Sequence, residues 1–305
     1  MKEGLVVSGP EVTRGPEVAS DSTTKKEIKG ILETDLRVVV PEIDGTTFIL
    51  QRNAKDERDP SSPNFGALTP EAERNTEQGA EDWFRTFFEG LSPEEMKNVE
   101  ILVLASDAVL RSPEGHDSDH KRGLETAIEV VKGIRKAMSE AGVDEAQLLN
   151  TSEFAEFAEP GGPVEFKELE ALAMLSESPD FVEHLKEKYG TGKKFWINYE
   201  LDTEKEAREK MDAEGVDRIA ERMRYFLSML TKAAEQRHKE DPGKRLVIWA
   251  MSHYDAISPF VKKRILAQPA TEYLPVNAAA GITMEATRDG KVKTQLGGQE
   301  FDVDL

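Results

Sequence analysis

The sequence predicts an α/β protein with a mostly parallel central sheet. Three short apolar runs are typical of buried strands, and they lie at 46–51 (TTFILQ), 100–106 (EILVLAS) and 245–252 (RLVIWAMS). Amphipathic helical segments separate these runs, and parallel strands need connections of that kind. Near the C terminus, two β-rich segments flank an Asp-Gly turn at 289–290, which predicts a closing hairpin.

The first half of the chain alternates strand and helix. After the first strand, a Thr-Pro pair at 69–70 predicts a helix start. The apolar stripe of this helix is aromatic: Trp83, Phe84, Phe87 and Phe88. A capping box at 92–95 predicts a short helix, and the second strand leads into a helix at 122–141 that Gly142 is placed to end.

The second half begins with a helical, Glu-rich insertion at 145–190, interrupted by a PGGP break. We interpret this insertion as a cap over the functional site. A long amphipathic helix is predicted at 203–239, before the third strand. A helix at 258–267 follows that strand, and the hairpin segments at 281–288 and 291–295 complete the fold.

The charge of the chain excludes several classes of partner. Forty Lys and Arg residues against 59 Asp and Glu residues leave a formal charge of −19. So acidic a surface repels nucleic-acid phosphates and anionic lipid headgroups, and we therefore expect neither nucleic acid nor a membrane as a partner. No apolar run suits a signal peptide or a membrane span, which makes the cytoplasm the expected location. The chain has no cysteine, which excludes disulfides, thiolate metal sites and cysteine nucleophiles.

We divide the chain into an N-terminal arm, residues 1–44, and one α/β domain, residues 45–305. The arm mixes Pro, Gly, Ser and charged residues without periodicity, which predicts a flexible segment. The arm and the insertion at 145–190 are the two segments through which we expect a protein partner to bind, if there is one.

Polar residues follow each of the three predicted strands. Arg52 and Asn53 come after the first strand, and His253 comes after the third. Open α/β sheets bind ligands beyond the carboxyl ends of their strands, so we expect Arg52 and His253 to converge. Arg122 opens the helix after the second strand, near a helix N-terminus that attracts anions. Such a group of cations in an acidic chain predicts a phosphate ligand.

Five motifs occur in order along the chain: FILQRNA at 48–54, LTPEA at 68–72, LAS at 104–106 with RGLETA at 122–127, VIWAMSH at 247–253, and the closing hairpin. Together they resemble the histidine phosphatase superfamily. The resemblance implies a phosphoglycerate mutase-like three-layer α/β/α sandwich with a helical insertion and a C-terminal hairpin. It also implies a pocket in which Arg52, Arg122 and His253 bind a phosphoryl group.

The resemblance places the nucleophilic histidine of the family at position 53, where this chain has Asn53. An amide nitrogen has no comparable lone pair, because resonance with the carbonyl withdraws it, and it does not titrate near neutral pH. Asn53 can still hydrogen-bond a phosphate oxygen. We therefore expect a pseudophosphatase that binds a phosphorylated small molecule or a phosphopeptide with little or no hydrolysis.

The family also uses a carboxyl group to protonate the leaving oxygen. The matching candidates are Glu153, which we rank first, and Glu156, both in the insertion. The competing hypothesis is an active phosphomonoester hydrolase, in which Asn53 is an inactivating substitution or in which His253 or an activated water acts instead. A third hypothesis is a different doubly wound protein, in which the phosphate-binding residues do not meet.

One loop has residue types that suit zinc. His116 and His120 flank Asp117 and Asp119 there, and imidazole and carboxylate groups are common zinc ligands. A solvated polar loop is the interpretation we favour, since the resembling family needs no metal and such a loop is expected at the surface. We therefore expect no metal and no cofactor.

Overall fold

The computed structural model describes residues 32, 34–106, 118–149, 156–157, 164–165, 179–190, 192–267, 274–288 and 290–305. Its strands are β1 (Thr46–Arg52), β2 (Val99–Ala105), β3 (Glu156–Phe157), β4 (Val164–Glu165), β5 (Arg245–Ser252), β6 (Gly281–Ala286), β7 (Val292–Leu296) and β8 (Gln299–Asp302). Six of them form one sheet in the order β2-β5-β1-β6-β7-β8, and β3 pairs with β4.

The helices of the described residues cover the two faces of this sheet. They are α1 (Pro70–Glu89), α2 (Pro93–Met96), α3 (Arg122–Ala141), α4 (Pro179–Tyr189), α5 (Lys193–Glu200), α6 (Lys205–Lys210), α7 (Val216–Glu240) and α8 (Tyr254–Phe260). A 3₁₀ turn lies at Glu145–Gln147, and α8 continues as a π-helical turn over Val261–Ile265.

The sheet confirms the predicted α/β fold. Strands β2, β5 and β1 are parallel neighbours, whereas β6 is antiparallel to β1 and β7 is antiparallel to β6. Strand β7 therefore runs in the direction of β1, so four of the six strands share one direction. The predicted C-terminal hairpin is β6 and β7, and β8 extends it by one strand that the sequence pattern did not indicate.

Alternating side chains of β1 pack into two separate cores, which makes the fold a three-layer sandwich. Phe48 and Leu50 join the core formed with α4, α5, α7 and α8. Ile49 joins the other core, together with α1 and α3. On that second face, the ring of Phe84 stacks on Trp249 of β5 with the centroids 5.9 Å apart. Burial of both faces accounts for the nearly continuous apolar runs in β1, β2 and β5.

The predicted helix boundaries at α1, α2 and α3 are confirmed. Thr69 caps α1 by accepting a hydrogen bond from the Ala72 amide at 3.2 Å, and Ser92 forms the capping box of α2. Helix α3 ends at Gly142, whose φ of 67° lies in the left-handed region that glycine tolerates. Helix α3 also packs tightly on α1, because a Cβ on Gly133 would lie 2.2 Å from the Glu77 carbonyl oxygen. Only glycine fits there.

Two predicted helices differ from the observed ones. The segment predicted as one helix at 203–239 forms α6 and α7, separated by Asp212 with a φ of 50°. The Arg208 guanidinium lies across this break and donates to the Ala213 carbonyl at 3.3 Å, which stabilises the interruption. The helix predicted at 258–267 begins earlier, at Tyr254, directly after β5.

Residues 34–44, which we assigned to the N-terminal arm, pack on the domain. Leu36 and Val39 are buried, and the Val39 carbonyl accepts a hydrogen bond from Thr47 Oγ1 at 3.1 Å. The Trp83 indole donates to the Arg37 carbonyl at 3.2 Å. Residues 1–31 lie outside the described residues. Among the helices that are described, none combines the length and apolar character needed to cross a bilayer.

Candidate functional site

The parallel pairing of β1 and β5 brings Asn53 and His253 together. Arg52 is paired with Ser252 at the end of the register, so the next residue of each strand emerges at the same edge. The backbone N–H of Asn53 donates to the Ser252 carbonyl at 2.9 Å, and the side-chain Oδ1 of Asn53 lies 3.1 Å from His253 Nδ1. Both side chains are buried.

The first turn of α3 carries Arg122 to the same edge. A Cβ on Gly123 would lie 2.4 Å from the Ser106 carbonyl oxygen, so glycine is required for this close approach to the end of β2. Thr126 Oγ1 accepts a hydrogen bond from the Ala54 amide at 3.1 Å and donates to the Arg122 carbonyl at 2.6 Å. These contacts hold the start of α3 against the residues that follow β1.

A buried carboxylate joins two arginines at this edge. Asp56 accepts a hydrogen bond from Arg122 Nη1 and another from Arg58 Nε, each at 2.7 Å. Sequence reasoning did not select Asp56 or Arg58, although both lie in the polar run directly after β1. We call Arg52, Asp56, Arg58, Arg122 and His253 the strand-end cluster.

The strand-end cluster has positive charge in excess. Burial lowers the pKa of Arg52, and the neighbouring Arg122 and Arg58 lower it further. Asp56 and Asp255 act on Arg52 in the opposite direction, so three guanidinium groups face two carboxylates. Burial, followed by the three arginines, holds the pKa of His253 well below its ordinary value, which keeps the imidazole neutral at neutral pH.

Within the strand-end cluster, Arg52 contacts α8, the helix after β5. Its guanidinium carbon is 5.7 Å from the ring centroid of Tyr254, a cation–π contact, and Nη1 donates to the Val276 carbonyl. The buried Nε atom has no hydrogen-bond partner within the part of the chain that is described.

A second buried ionic group lies next to Tyr254. Glu200 accepts hydrogen bonds from the Tyr254 hydroxyl, from Ser258 Oγ at 2.8 Å and from Lys262 Nζ. The Leu274 amide lies 3.4 Å from the same carboxylate. We call Glu200, Tyr254, Ser258 and Lys262 the Glu200 cluster. It joins α5 to α8 and fixes the position of the Tyr254 ring, which the Arg52 guanidinium contacts.

The two candidate general acids are not placed by the structure. Glu153 lies outside the described residues. Of Glu156 only the backbone is described, and it pairs with Glu165 in the small β3–β4 ladder. No proton donor for a leaving group is therefore assigned.

The loop considered for zinc is described in part. His116 and Asp117 lie outside the described residues. His120 Nδ1 is 2.7 Å from Glu125 Oε1, and the His120 amide donates to Ser118 Oγ at 2.9 Å, so this residue joins the loop to α3. Across the described ranges, no group of three or more His, Asp or Glu side chains is arranged to hold a metal ion.

A cavity of about 500 Å³ lies on the α1 side of the strand end. Gln51, Ala54, Lys55 and Trp249 line it, together with Thr76 of α1. Arg52, Arg122 and His253 are not among its lining residues, so the cavity is separate from the strand-end cluster.

Comparisons with known proteins identify similar structures but no sequence relative. No family model and no curated protein matches the chain. The chain is similar to the Bifidobacterium longum multiple inositol polyphosphate phosphatase, solved in complex with inositol hexasulfate, with 9% identity, a TM-score of 0.42, and 90% of this chain and 92% of that chain covered. It is also similar to the Klebsiella sp ASR1 phytase, with 11% identity, a TM-score of 0.36, and 84% of this chain and 81% of that chain covered. At these scores the likeness establishes neither a shared activity nor a shared site.

Proposed function

We propose that the protein binds the phosphoryl group of a phosphorylated small molecule or a phosphopeptide at the strand-end cluster, with little or no hydrolysis. The observation that carries this proposal is the convergence of Arg52, Arg58 and Arg122 at one sheet edge with positive charge in excess. Because burial and the mutual repulsion of neighbouring guanidinium groups both disfavour their charged forms, such a local excess of cations costs free energy unless an anion compensates it.

The chemistry of the cluster suits an oxyanion. Guanidinium groups present several N–H donors in a planar fork that matches phosphate geometry. Arg122 lies in the first turn of α3, where the helix dipole also favours negative charge. A bound oxyanion would compete for Arg122 with Asp56 and for Arg52 with the Val276 carbonyl. These protein acceptors hold the two guanidinium groups in place before the ligand arrives.

Asn53 supports the second half of the proposal. Its amide occupies the position that the resemblance assigns to the nucleophilic histidine, and it cannot form a phosphohistidine. Removal of a nucleophile leaves binding groups in place while it removes most of the rate. Recognition and turnover are therefore separable at this site.

One observation favours a second candidate, a hydrolase that uses His253. The imidazole is neutral because burial holds its pKa well below the ordinary value, so one ring nitrogen has a lone pair. Attack by that nitrogen on phosphorus would release an alkoxide, which a general acid would have to protonate. The binding function ranks first because Asn53 occupies the position that the resemblance assigns to the nucleophile.

Titration calorimetry with inorganic phosphate tests the binding function. We expect the wild-type chain to bind phosphate and Arg52→Glu to bind it on the order of 100-fold more weakly, since the substitution removes a charged hydrogen bond and adds repulsion. Arg74→Glu is the matched control, because Arg74 is exposed on α1 and is not part of the strand-end cluster. Absence of phosphate binding by the wild type would contradict the proposal.

Hydrolysis of an aryl phosphate tests the assignment of position 53. We expect no turnover by the wild-type chain and measurable turnover by Asn53→His, which restores an imidazole at the strand end. Comparable rates for the two proteins would favour the His253 hydrolase instead.

A further inference from the structure

The Asn53 side chain determines which nitrogen of His253 carries the proton. Asn53 Nδ2 donates to the Ala54 carbonyl at 3.0 Å, which orients Oδ1 toward His253. The opposite amide orientation would place Oδ1 against the Ala54 carbonyl, two acceptors in contact. Because Oδ1 only accepts, His253 Nδ1 must donate across the 3.1 Å contact. In a neutral ring, Nε2 then has a lone pair and no proton.

His253 Nε2 is therefore an acceptor in a cluster that contains three guanidinium groups. It is buried, and no described residue is its hydrogen-bond partner. The charged groups that act on the ring are three arginines: Arg52 ends β1, Arg58 lies in the segment after it, and Arg122 begins α3. The Asp56 carboxylate lies between Arg58 and Arg122. Asp255, in the first turn of α8, is the further carboxylate that acts on Arg52. The nearby cations oppose protonation of the ring, so Nε2 stays an acceptor at neutral pH.

We propose that His253 Nε2 makes the site selective for an oxyanion that carries a hydroxyl group. The P–OH group donates to Nε2, while the remaining phosphoryl oxygens accept from the arginines. This inference rests on the proposed binding function and refines its ligand class. The preferred ligands are inorganic phosphate and the singly protonated form of a phosphate monoester. Sulfate has no proton at neutral pH, so one of its oxygens would face the Nε2 lone pair.

A buried acceptor left facing another acceptor weakens binding, and we expect sulfate to bind roughly 10- to 100-fold more weakly than phosphate. Coulomb attraction alone would predict no such preference, because sulfate and hydrogen phosphate carry the same charge. The ratio of the two affinities therefore isolates the contribution of the acceptor.

Asn53→Asp is the informative variant. A carboxylate at position 53 still accepts from Nδ1, although its second oxygen loses the hydrogen bond to the Ala54 carbonyl. The carboxylate also stabilises the imidazolium, which converts Nε2 into a donor. The added negative charge and the added proton cancel, so the net charge of the site is unchanged. Asn75→Asp is the matched control for an asparagine-to-aspartate change, because Asn75 is exposed on α1 and lines the neighbouring cavity without belonging to the strand-end cluster.

The experiment is titration calorimetry of the full chain with inorganic phosphate and with sulfate at pH 7, in two buffers of different ionisation enthalpy. We expect a phosphate-to-sulfate affinity ratio of at least about 10 in the wild type and in Asn75→Asp, and a ratio within about threefold of unity in Asn53→Asp. Equal affinities in the wild type, or sulfate binding with uptake of one proton, would overturn the selectivity while leaving the binding function intact. Failure of both anions to bind would contradict the binding function itself.

Discussion

The strand-end cluster and the Glu200 cluster differ in how completely their buried polar atoms are satisfied. In the Glu200 cluster, one carboxylate oxygen accepts from Tyr254 and Ser258, and the other accepts from Lys262 and the Leu274 amide. The cluster therefore pairs one carboxylate, that of Glu200, with one ammonium group, that of Lys262. In the strand-end cluster, Arg58 and Arg122 share the carboxylate of Asp56, Arg52 donates to a backbone carbonyl, and a buried imidazole nitrogen has no partner within the described residues.

This difference separates a structural role from a binding role. A buried polar group that serves the fold is expected to be fully hydrogen-bonded, because each unsatisfied atom costs free energy. A group kept with excess charge and an open acceptor lowers the stability of the empty protein and gains its partners when a ligand arrives. The comparison predicts that the Glu200 cluster contributes to folding and the strand-end cluster to recognition.

The largest expected effect is loss of stability when the charge of Glu200 is removed. Glu200→Gln keeps the size of the side chain but removes the negative charge that the buried Lys262 ammonium contacts. Burial already lowers the pKa of Lys262, while Glu200 acts in the opposite direction. Breaking a buried ion pair from one side costs about 3–5 kcal/mol. We expect a decrease of that size in the free energy of unfolding, measured with urea.

Glu206→Gln is the control for this prediction, because Glu206 is exposed on α6 and its charge is solvated. We expect its unfolding free energy to match that of the wild type. A small effect of Glu200→Gln, similar to that of the control, would remove the structural half of the comparison.

An intermediate effect, with opposite signs for stability and binding, is expected for Asp56→Asn. The substitution removes the negative charge and one of the two oxygens that accept from Arg58 and Arg122, so the free energy of unfolding should fall by about 1–3 kcal/mol. The same change increases the positive excess and releases guanidinium donors, so the affinity for phosphate should rise several-fold. Urea unfolding and calorimetry measure the two quantities. A parallel decrease in both would show that Asp56 serves mainly to position the arginines.

The smallest effect concerns the pH dependence of stability. In the folded protein the pKa of His253 lies well below its ordinary value of 6.5. In the unfolded chain the same imidazole titrates at about 6.5. The unfolded chain therefore binds a proton that the folded protein excludes. The free energy of unfolding therefore has its full value above the unfolded pKa. It decreases as the pH falls toward the folded pKa, by up to about 1.4 kcal/mol between pH 7.5 and 5.5.

Urea unfolding of the wild type and His253→Gln in phosphate-free buffer measures this contribution as the difference between the two pH profiles. His238 titrates in both proteins and cancels. Asn53→Asp should also lack the loss at low pH, because the added carboxylate stabilises the imidazolium. Identical profiles for the wild type and His253→Gln would mean that the imidazole is not held neutral by its surroundings.

The main strands could be predicted from the sequence to within one or two residues. The run at 46–51 corresponds to β1, and those at 100–106 and 245–252 correspond to β2 and β5. Strands buried on both faces have apolar side chains throughout, and that signal is strong in a single sequence. The juxtaposition of Arg52, Asn53 and His253 followed from the same pattern, because neighbouring parallel strands end at one edge.

Features that depend on packing between distant segments could not be predicted. Glu200 belongs to a short helix with ordinary polarity, and only the fold brings Lys262 to it. Asp56 was one of several charged residues after β1, and its partner Arg122 is 66 positions away in the sequence. The break between α6 and α7 depends on the position of Arg208, which helical periodicity does not reveal.

The sequence by itself determined the α/β class, the three core strands and the polar residues that follow them, because these depend on local polarity and spacing. Only the tertiary structure decided how the charges at the strand ends are distributed and which nitrogen of His253 accepts. Those properties depend on distances of about 3 Å between side chains far apart in the sequence, and such distances are fixed by packing.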